Sequence, residues 1–242
     1  MLFQRIFAVL CVAVGTPRRR LLTSFASQMG GTDTCSGPGS GGGADEKCSY
    51  GTGPRGTAGL ALEEGPLSAH VFCDESKAGG FRLAAVTVKL CDLAELRSTV
   101  AALRLPGQRR LHFANESDGR RKKIIKTLSA AEIRAVVYDA PTYRTEKDAR
   151  DAIIGQLTDD VAAMGATRLV LERDDSAVAS DRQIIIERLA KAGNPESLRY
   201  EHRRAHEECL LSVPDAIIWA WAKGGRWRKS VGPLVTDVVV VS

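Results

Sequence analysis

No CxxC pair occurs among the six cysteines, Cys11, Cys35, Cys48, Cys73, Cys91 and Cys209. That excludes a zinc ribbon and leaves no disulfide framework to read. Cys73 sits in an apolar run and reads as a small buried hydrophobe. The apolar run Ile6 to Val14, flanked by Arg5 and then by Arg18, Arg19 and Arg20, is far shorter than the roughly 20 residues a membrane span needs. Arginines also stand where a secretory signal has small residues at its cleavage site. No stable membrane association is expected, and a cytoplasmic location is. A P-loop and a GxSxG elbow are both missing. Strong charge of either sign is missing too. A net charge of +5 and a pI of about 9.0 permit an anionic partner such as nucleic acid without demanding one.

What is present suits one sizeable core with an appendage: 242 residues, 44% hydrophobic and 26% charged. Thirteen of the 23 glycines precede residue 67, and that stretch has no hydrophobic period. Residues 1–67 are therefore expected to be a disordered, low-complexity extension, and residues 68–242 the folded domain. "TPRRRLLTSFASQ" has the Arg/Ser content of a transit peptide. The plain alternative is a non-native extension read from an upstream start codon, with Met29 as the internal candidate.

From Ser68 onward, strand and helix patterns alternate. "AHVFC" and "FRLAAVTVKL", joined across two glycines, read as a hairpin. "CDLAELRSTVAALRLPG" reads as a helix capped by Asp92 and stopped by Pro106 and Gly107. "RRLHF" reads as a third strand and "SDGRRKKIIKTL" as a helix. "IRAVVYD" is a strand. The helix from Thr145 opens with a Thr145/Asp148 capping box and closes at Gly165. "TRLVLERDD" is a strand, and "SDRQIIIERLAKAG" a helix with Ser180 as cap. "SLRYEHR" is a strand, "SVPDAIIWAWAKGG" a helix with Ser212 as N-cap, and "LVTDVVVVS" a terminal strand. Strands separated by helices imply a largely parallel, covered sheet, which the opening hairpin makes mixed.

Three acidic positions stand out. Asp74, in "VFCDES", ends the first strand, at the edge where open α/β sheets place ligands; the bland alternative is that Asp74 and Glu75 begin a polar loop. In "RLVLERDD", Val170, Glu172 and Asp174 share one strand face. A carboxylate on a covered face needs a partner, and one of the many arginines would serve. Asp215 is the one polar residue between Val213 and Ala222, a segment otherwise apolar all round and hence buried. The helix dipole alone would also explain an Asp there. If the three meet at one rim, their charges repel, and a divalent cation removes the conflict. All-oxygen ligands suit Mg²⁺ or Mn²⁺ better than zinc. Two such ions about 3.5–4 Å apart can activate water and stabilise the leaving oxygen of a phosphodiester.

"VFCDES" with its glycine-containing hairpin, then "RLHF", "LVLERDD" and "CLLSVPDAIIWAWAKGGRW", stand in an order that resembles the domain-of-unknown-function family numbered 3800 over residues 68 to 235. That family is regarded as ribonuclease-H-like. The resemblance implies a mixed sheet of about five strands, flanking helices and an acidic metal site. In it, Asp74 corresponds to the first-strand aspartate, Glu172 or Asp174 to the later-strand acid, and Asp215 to the last-helix acid. Lys77 departs from the glycine common in the family; it either places a cation at the mouth of the site or points to solvent. The nuclease function implied comes from the fold by analogy.

Further candidates have plain alternatives. His112 and Glu116 in "LHFANES" fall where this fold often adds a site residue. His112 then acts as a general acid/base or phosphate contact, unless it is simply a hydrogen-bonded strand-end histidine. Arg120, Lys122, Lys123 and Lys126 form a basic helix face that either contacts phosphates or is merely solvated. His202, His206 and Cys209 are a conceivable zinc set. Arg226, Trp227, Arg228 and Lys229 flank a groove, with Trp227 stacking on a base, or Trp227 is only a surface anchor. The expected function is a Mg²⁺- or Mn²⁺-dependent nuclease acting on RNA or DNA through Asp74, Glu172, Asp215 and His112, with Asp174 as a further metal ligand. The alternative is a non-catalytic ribonuclease-H-like module that binds nucleic acid or a protein.

Overall fold

The structure is a computed structural model that describes residues 68–131, 133–193 and 196–242. The expected extension over residues 1–67 lies outside the described residues. Strands β1 (Ala69–Ser76) and β2 (Arg82–Lys89) pair antiparallel along their whole length. The turn between them uses Gly79 at φ +71° and Gly80 at φ +115°, backbone that a side chain resists. β1 runs past the apolar stretch "AHVFC", because Glu75 and Ser76 still pair with Leu83 and Arg82. Asp74 is therefore inside the strand, opposite Ala84.

Beyond the hairpin come α1 (Leu93–Ala102), α2 (Asp118–Ala130), β3 (Arg134–Asp139), α3 (Glu146–Ala163) and β4 (Arg168–Glu172). Then follow α4 (Val178–Lys191), β5 (Arg199–Arg203), α5 (Ser212–Lys223), α6 (Gly225–Val231) and β6 (Val235–Val240). The sheet has six strands in the order β5-β4-β1-β2-β3-β6. β1–β2 and β2–β3 are antiparallel; β1–β4, β4–β5 and β3–β6 are parallel. This is the mixed, helix-flanked α/β class expected, with one strand more than the five anticipated. The strand beyond the five that the resemblance implies is "LVTDVVVVS", read from the sequence as a terminal strand and found at the β3 edge.

Alternation divides the core in two. Phe72, Val86, Val137 and Val170 face α1, α2, α5 and α6, whereas Val71, Cys73, Leu83, Leu169 and Leu171 face α3 and α4. Among the described residues, no helix is long and apolar enough to cross a membrane.

Four local expectations need correction. The Asp92 side chain makes no cap hydrogen bond to α1, because Asp92 is the helical last residue of a 3₁₀ turn over Leu90–Asp92 that runs into the helix. "RRLHF" does not form a strand: Phe113–Asn115 is a 3₁₀ turn. Its apolar residues are drawn in by side-chain packing, with Phe113 edge-on to Trp219 and Trp227 at 5.3 and 6.4 Å between ring centroids. Ser180 does not cap α4, which starts at Val178, where backbone N–H groups already bond the Asp174 carbonyl. Ser180 Oγ instead donates to Asp151 at 2.9 Å. Ser212 is the first residue of α5 and not its cap; a 3₁₀ turn over Cys209–Leu211 precedes it, with the Glu208 carboxylate accepting from the Leu210 N–H.

The Thr145 cap is as expected, its hydroxyl accepting from the Asp148 N–H at 3.0 Å. Thr145→Ala is expected to cost about 1 kcal/mol in urea unfolding, and a loss within error of zero would show the cap idle.

Candidate functional site

The β1–β4 register places two acids side by side. Phe72 pairs with Val170 and Cys73 with Leu171. Two residues beyond the Phe72–Val170 pair, and on the same face, stand Asp74 and Glu172. α5 lies across β1 and β2 on that face and carries Asp215 in its first turn. Asp215 Oδ2 accepts from the Phe113 N–H at 2.9 Å and lies 3.3 Å from His112 Nδ1. The segment "RLHF", which follows no regular element, thus docks on the start of α5 and delivers His112 to the same rim.

Asp74 is 8% exposed, and the one hydrogen bond its carboxylate accepts from the described backbone is the Glu75 N–H at 2.7 Å. Burial pushes its carboxyl well above the usual range, the Glu172 charge adds to this, and so do hydrogen bonding with Glu172 and the charge of Asp215. Arg110 is the one opposing influence. Glu172 also takes an ion pair from Arg110 Nη1 at 2.9 Å. The His112 ring is raised by its hydrogen bond to Asp215, against partial burial.

Three carboxylates and a histidine therefore converge, but not yet as a ligand cage. Among the described residues, no three His, Cys, Asp or Glu side chains stand arranged to hold a metal ion. Asp74 and Glu172 adjoin, while Asp215 is near enough for its charge to be felt but is held by Phe113 and His112. The donor chemistry fits a hard cation: oxygen donors, two of them crowded against each other, with Arg110 as the single positive group opposing their repulsion.

The other candidates are drawn elsewhere. Asp174 Oδ1 accepts from the Ser176 N–H and hydroxyl, and Oδ2 meets Lys77 at 3.5 Å. Those contacts, Ser176 first, hold its carboxyl below the usual range. Lys77 lies between Glu75, Asp174 and Glu146. Glu116 is buried but bonded to Arg120 and Gln108. His202 is 2.8 Å from Asp181 on the α4 side of the sheet, while Cys209 sits under Arg97 of α1, so the zinc set does not assemble. Trp227 is 6% exposed and belongs to the core, which removes it as a stacking platform.

Two residues that sequence reasoning passed over matter here. Arg110 supplies the countercharge. Arg121 grips the Phe113 and Ala114 carbonyls and lies 4.4 Å from the Trp219 ring centroid, fixing the His112 segment. Only the density of arginines between Arg109 and Arg121 hinted at either.

No protein-family model and no curated protein matches the chain. Among solved structures, a chain in "Structure of the PCNA:RNase HII complex from Archaeoglobus fulgidus" is similar over 64% of this chain and 73% of that one, at 14% identity and a TM-score of 0.43, a likeness too distant to carry an argument.

Proposed function

We propose that residues 68–242 form a divalent-metal-dependent nuclease or related phosphodiester hydrolase of ribonuclease-H-like type, as the resemblance to the family numbered 3800 implies. Asp74, Glu172 and Asp215 would hold Mg²⁺ or Mn²⁺, with Asp174 left outside. The observation that carries this reading is Asp74, a buried strand carboxyl pressed against Glu172 with no ion-pair partner of its own among the described residues. Such a pair is costly in a core unless a cation enters. When bound, the metal supplies an activated water at neutral pH and charge stabilisation of the leaving oxygen. His112, held protonated to higher pH by Asp215, is placed to donate a proton to that oxygen. Arg110 is placed to bind a non-bridging phosphate oxygen.

The test is cleavage of labelled single-stranded, duplex and hybrid substrates in Mg²⁺, in Mn²⁺ and in chelator. Cleavage confined to the metal-containing reactions is expected, and chelator-resistant cleavage overturns the assignment. Arg110→Ala is expected to tighten Mg²⁺ binding by up to about fivefold by calorimetry, because a partly exposed ion pair worth ~0.2–1 kcal/mol no longer has to yield. Weaker binding would show that Arg110 orders the acids.

The Arg110–Glu172 pair also favours a second reading, in which arginine already balances the acids and the domain binds nucleic acid without cutting it. Binding that survives both chelator and Asp74→Asn, with no cleavage under any condition, would support it.

A further inference from the structure

α2 and α6 pack against each other, joined by an ion pair from Arg226 to Asp118 at their starts. Across residues 118–131 and 219–234 the sequence holds nine lysines and arginines against a single acid, Asp118. The chain's mild overall charge conceals this concentration. Lys122, Lys123 and Lys126 are all exposed, with Lys126 about one helical turn from each of the other two, and Ile124, Ile125 and Leu128 of the same helix are buried. On α6, Arg226, Arg228 and Lys229 are exposed.

The arginines of this face are held in place. Arg226 lies 5.2 Å from the Trp227 ring centroid and Arg228 4.0 Å from that of Trp221. Arg121 lies over Trp219, which packs edge-on to Phe113 and Trp227. Guanidinium groups already ordered on ring faces lose less freedom on meeting an anion. None of the large exposed hydrophobic residues, Leu90, Leu105, Ile186, Val238 and Val240, lies on α2 or α6. The face therefore has nothing to insert into a bilayer, and repeated single charges on two adjoining helices suit a polyanion with regularly spaced charges.

The face also joins the acidic rim. Arg121, in the first turn of α2, binds the Phe113 carbonyl, and the Phe113 N–H binds Asp215. We propose that the α2–α6 face is a sequence-independent track for a nucleic-acid phosphate backbone, leading away from Asp215. This names the substrate-holding surface of the nuclease reading and rests on that reading for its direction only.

The test measures binding without catalysis. Fluorescein-labelled single-stranded RNA, single-stranded DNA and duplex are titrated with the full chain in EDTA over a range of salt, with anisotropy as readout. The triple variant Lys122→Ala/Lys123→Ala/Lys126→Ala changes only exposed side chains. It is expected to bind single strands at least about tenfold more weakly at low salt, and to flatten the log K against log salt slope by about 2, at ~0.7 per lost phosphate contact. Arg226→Ala should flatten it further, and Lys191→Ala, which removes an exposed charge from α4 on the other side of the sheet, should bind like the parent chain. Unchanged affinity and slope in the triple variant overturn the track, as does loss of phosphatidylserine-vesicle binding with nucleic-acid binding intact. Cleavage that persists with unaltered binding would sink the track alone. Weakened binding in a protein that never cleaves would sink the nuclease reading alone.

Discussion

Asp74→Asn is expected to abolish metal-dependent cleavage and, in the same protein without metal, to raise the melting temperature. Both follow from one contact. The Asp74 carboxyl is buried beside Glu172, and burial first, then the Glu172 and Asp215 charges, oppose its ionisation. Asparagine keeps the shape, removes the charge and donates to Glu172. Partners one shell removed from a metal typically cost 10–100-fold, so a direct ligand should cost at least about a hundredfold in rate. Relief of the repulsion should add on the order of 0.5–2 kcal/mol of stability, the usual scale when a functional site is relaxed. For a domain of this size that is roughly 2–6 °C. Saturating Mg²⁺ should stabilise the parent chain and leave the variant unmoved. Rates with and without metal, and paired melting curves, decide the matter. A variant that cleaves normally, or that melts lower in chelator, shows that Asp74 is structural.

The second large effect lies on the opposite face of the sheet. Arg150 of α3 is 5% exposed and grips Asp181 of α4 with two hydrogen bonds of 2.9 Å. His202 of β5 lies 2.8 Å from the same carboxylate, and Arg150 also reaches Glu75. Asp181 is fully buried. Burial alone would push its carboxyl up, but hydrogen bonds from Arg150 and His202 outweigh it and hold the group below its usual range. A depressed carboxyl lends stability above its unfolded value, near pH 4, and loses it as pH falls through the lower folded value.

Arg150→Met strips the main partner and leaves a buried charge. The expected loss is about 3–5 kcal/mol, a fall on the order of 10 °C in melting temperature. Acid unfolding should begin at higher pH, because burial is then opposed by His202 alone. Adding Asp181→Leu should recover much of the loss, since an apolar pair needs no countercharge. Urea and pH titrations of the single and double variants test this. A cost below ~1 kcal/mol for the single variant would mean that water reaches Asp181.

Periodicity made most of the sheet readable. The alternation of Leu169, Val170, Leu171 and Glu172 correctly assigned faces, because both sides of β4 are covered by helices of opposite layers. Asp215 was conspicuous as the lone acid of an apolar helix, and its first-turn position is observed. "RRLHF" misled because Leu111 and Phe113 are buried by tertiary packing under α5 and α6, which the local pattern does not distinguish from a strand. Trp227 misled for the converse reason: flanked by arginines and lysine, it reads as surface, yet the short α6 turns its ring into the cluster with Phe113 and Trp219. The parallel register that seats Asp74 beside Glu172 connects segments about a hundred residues apart, and no local pattern carries such a pairing. The Arg110–Glu172 and Arg150–Asp181 pairs are of the same kind: the sequence has many arginines, and only the fold chooses among them.

The pairing of β3 with β6 sets an order of events in synthesis. Ala135 is matched with Val235, so the outer rim of β3 stays open while the ribosome adds the intervening hundred residues. During that interval the nascent "AVVY" segment shows unpaired backbone to every neighbouring chain, and closure over so long a loop is slow. Release before Val235 would leave β3 with a sticky border, and "VVVV", within the segment that seals it, is itself a run of uncharged β-branched residues of the kind that pairs between chains.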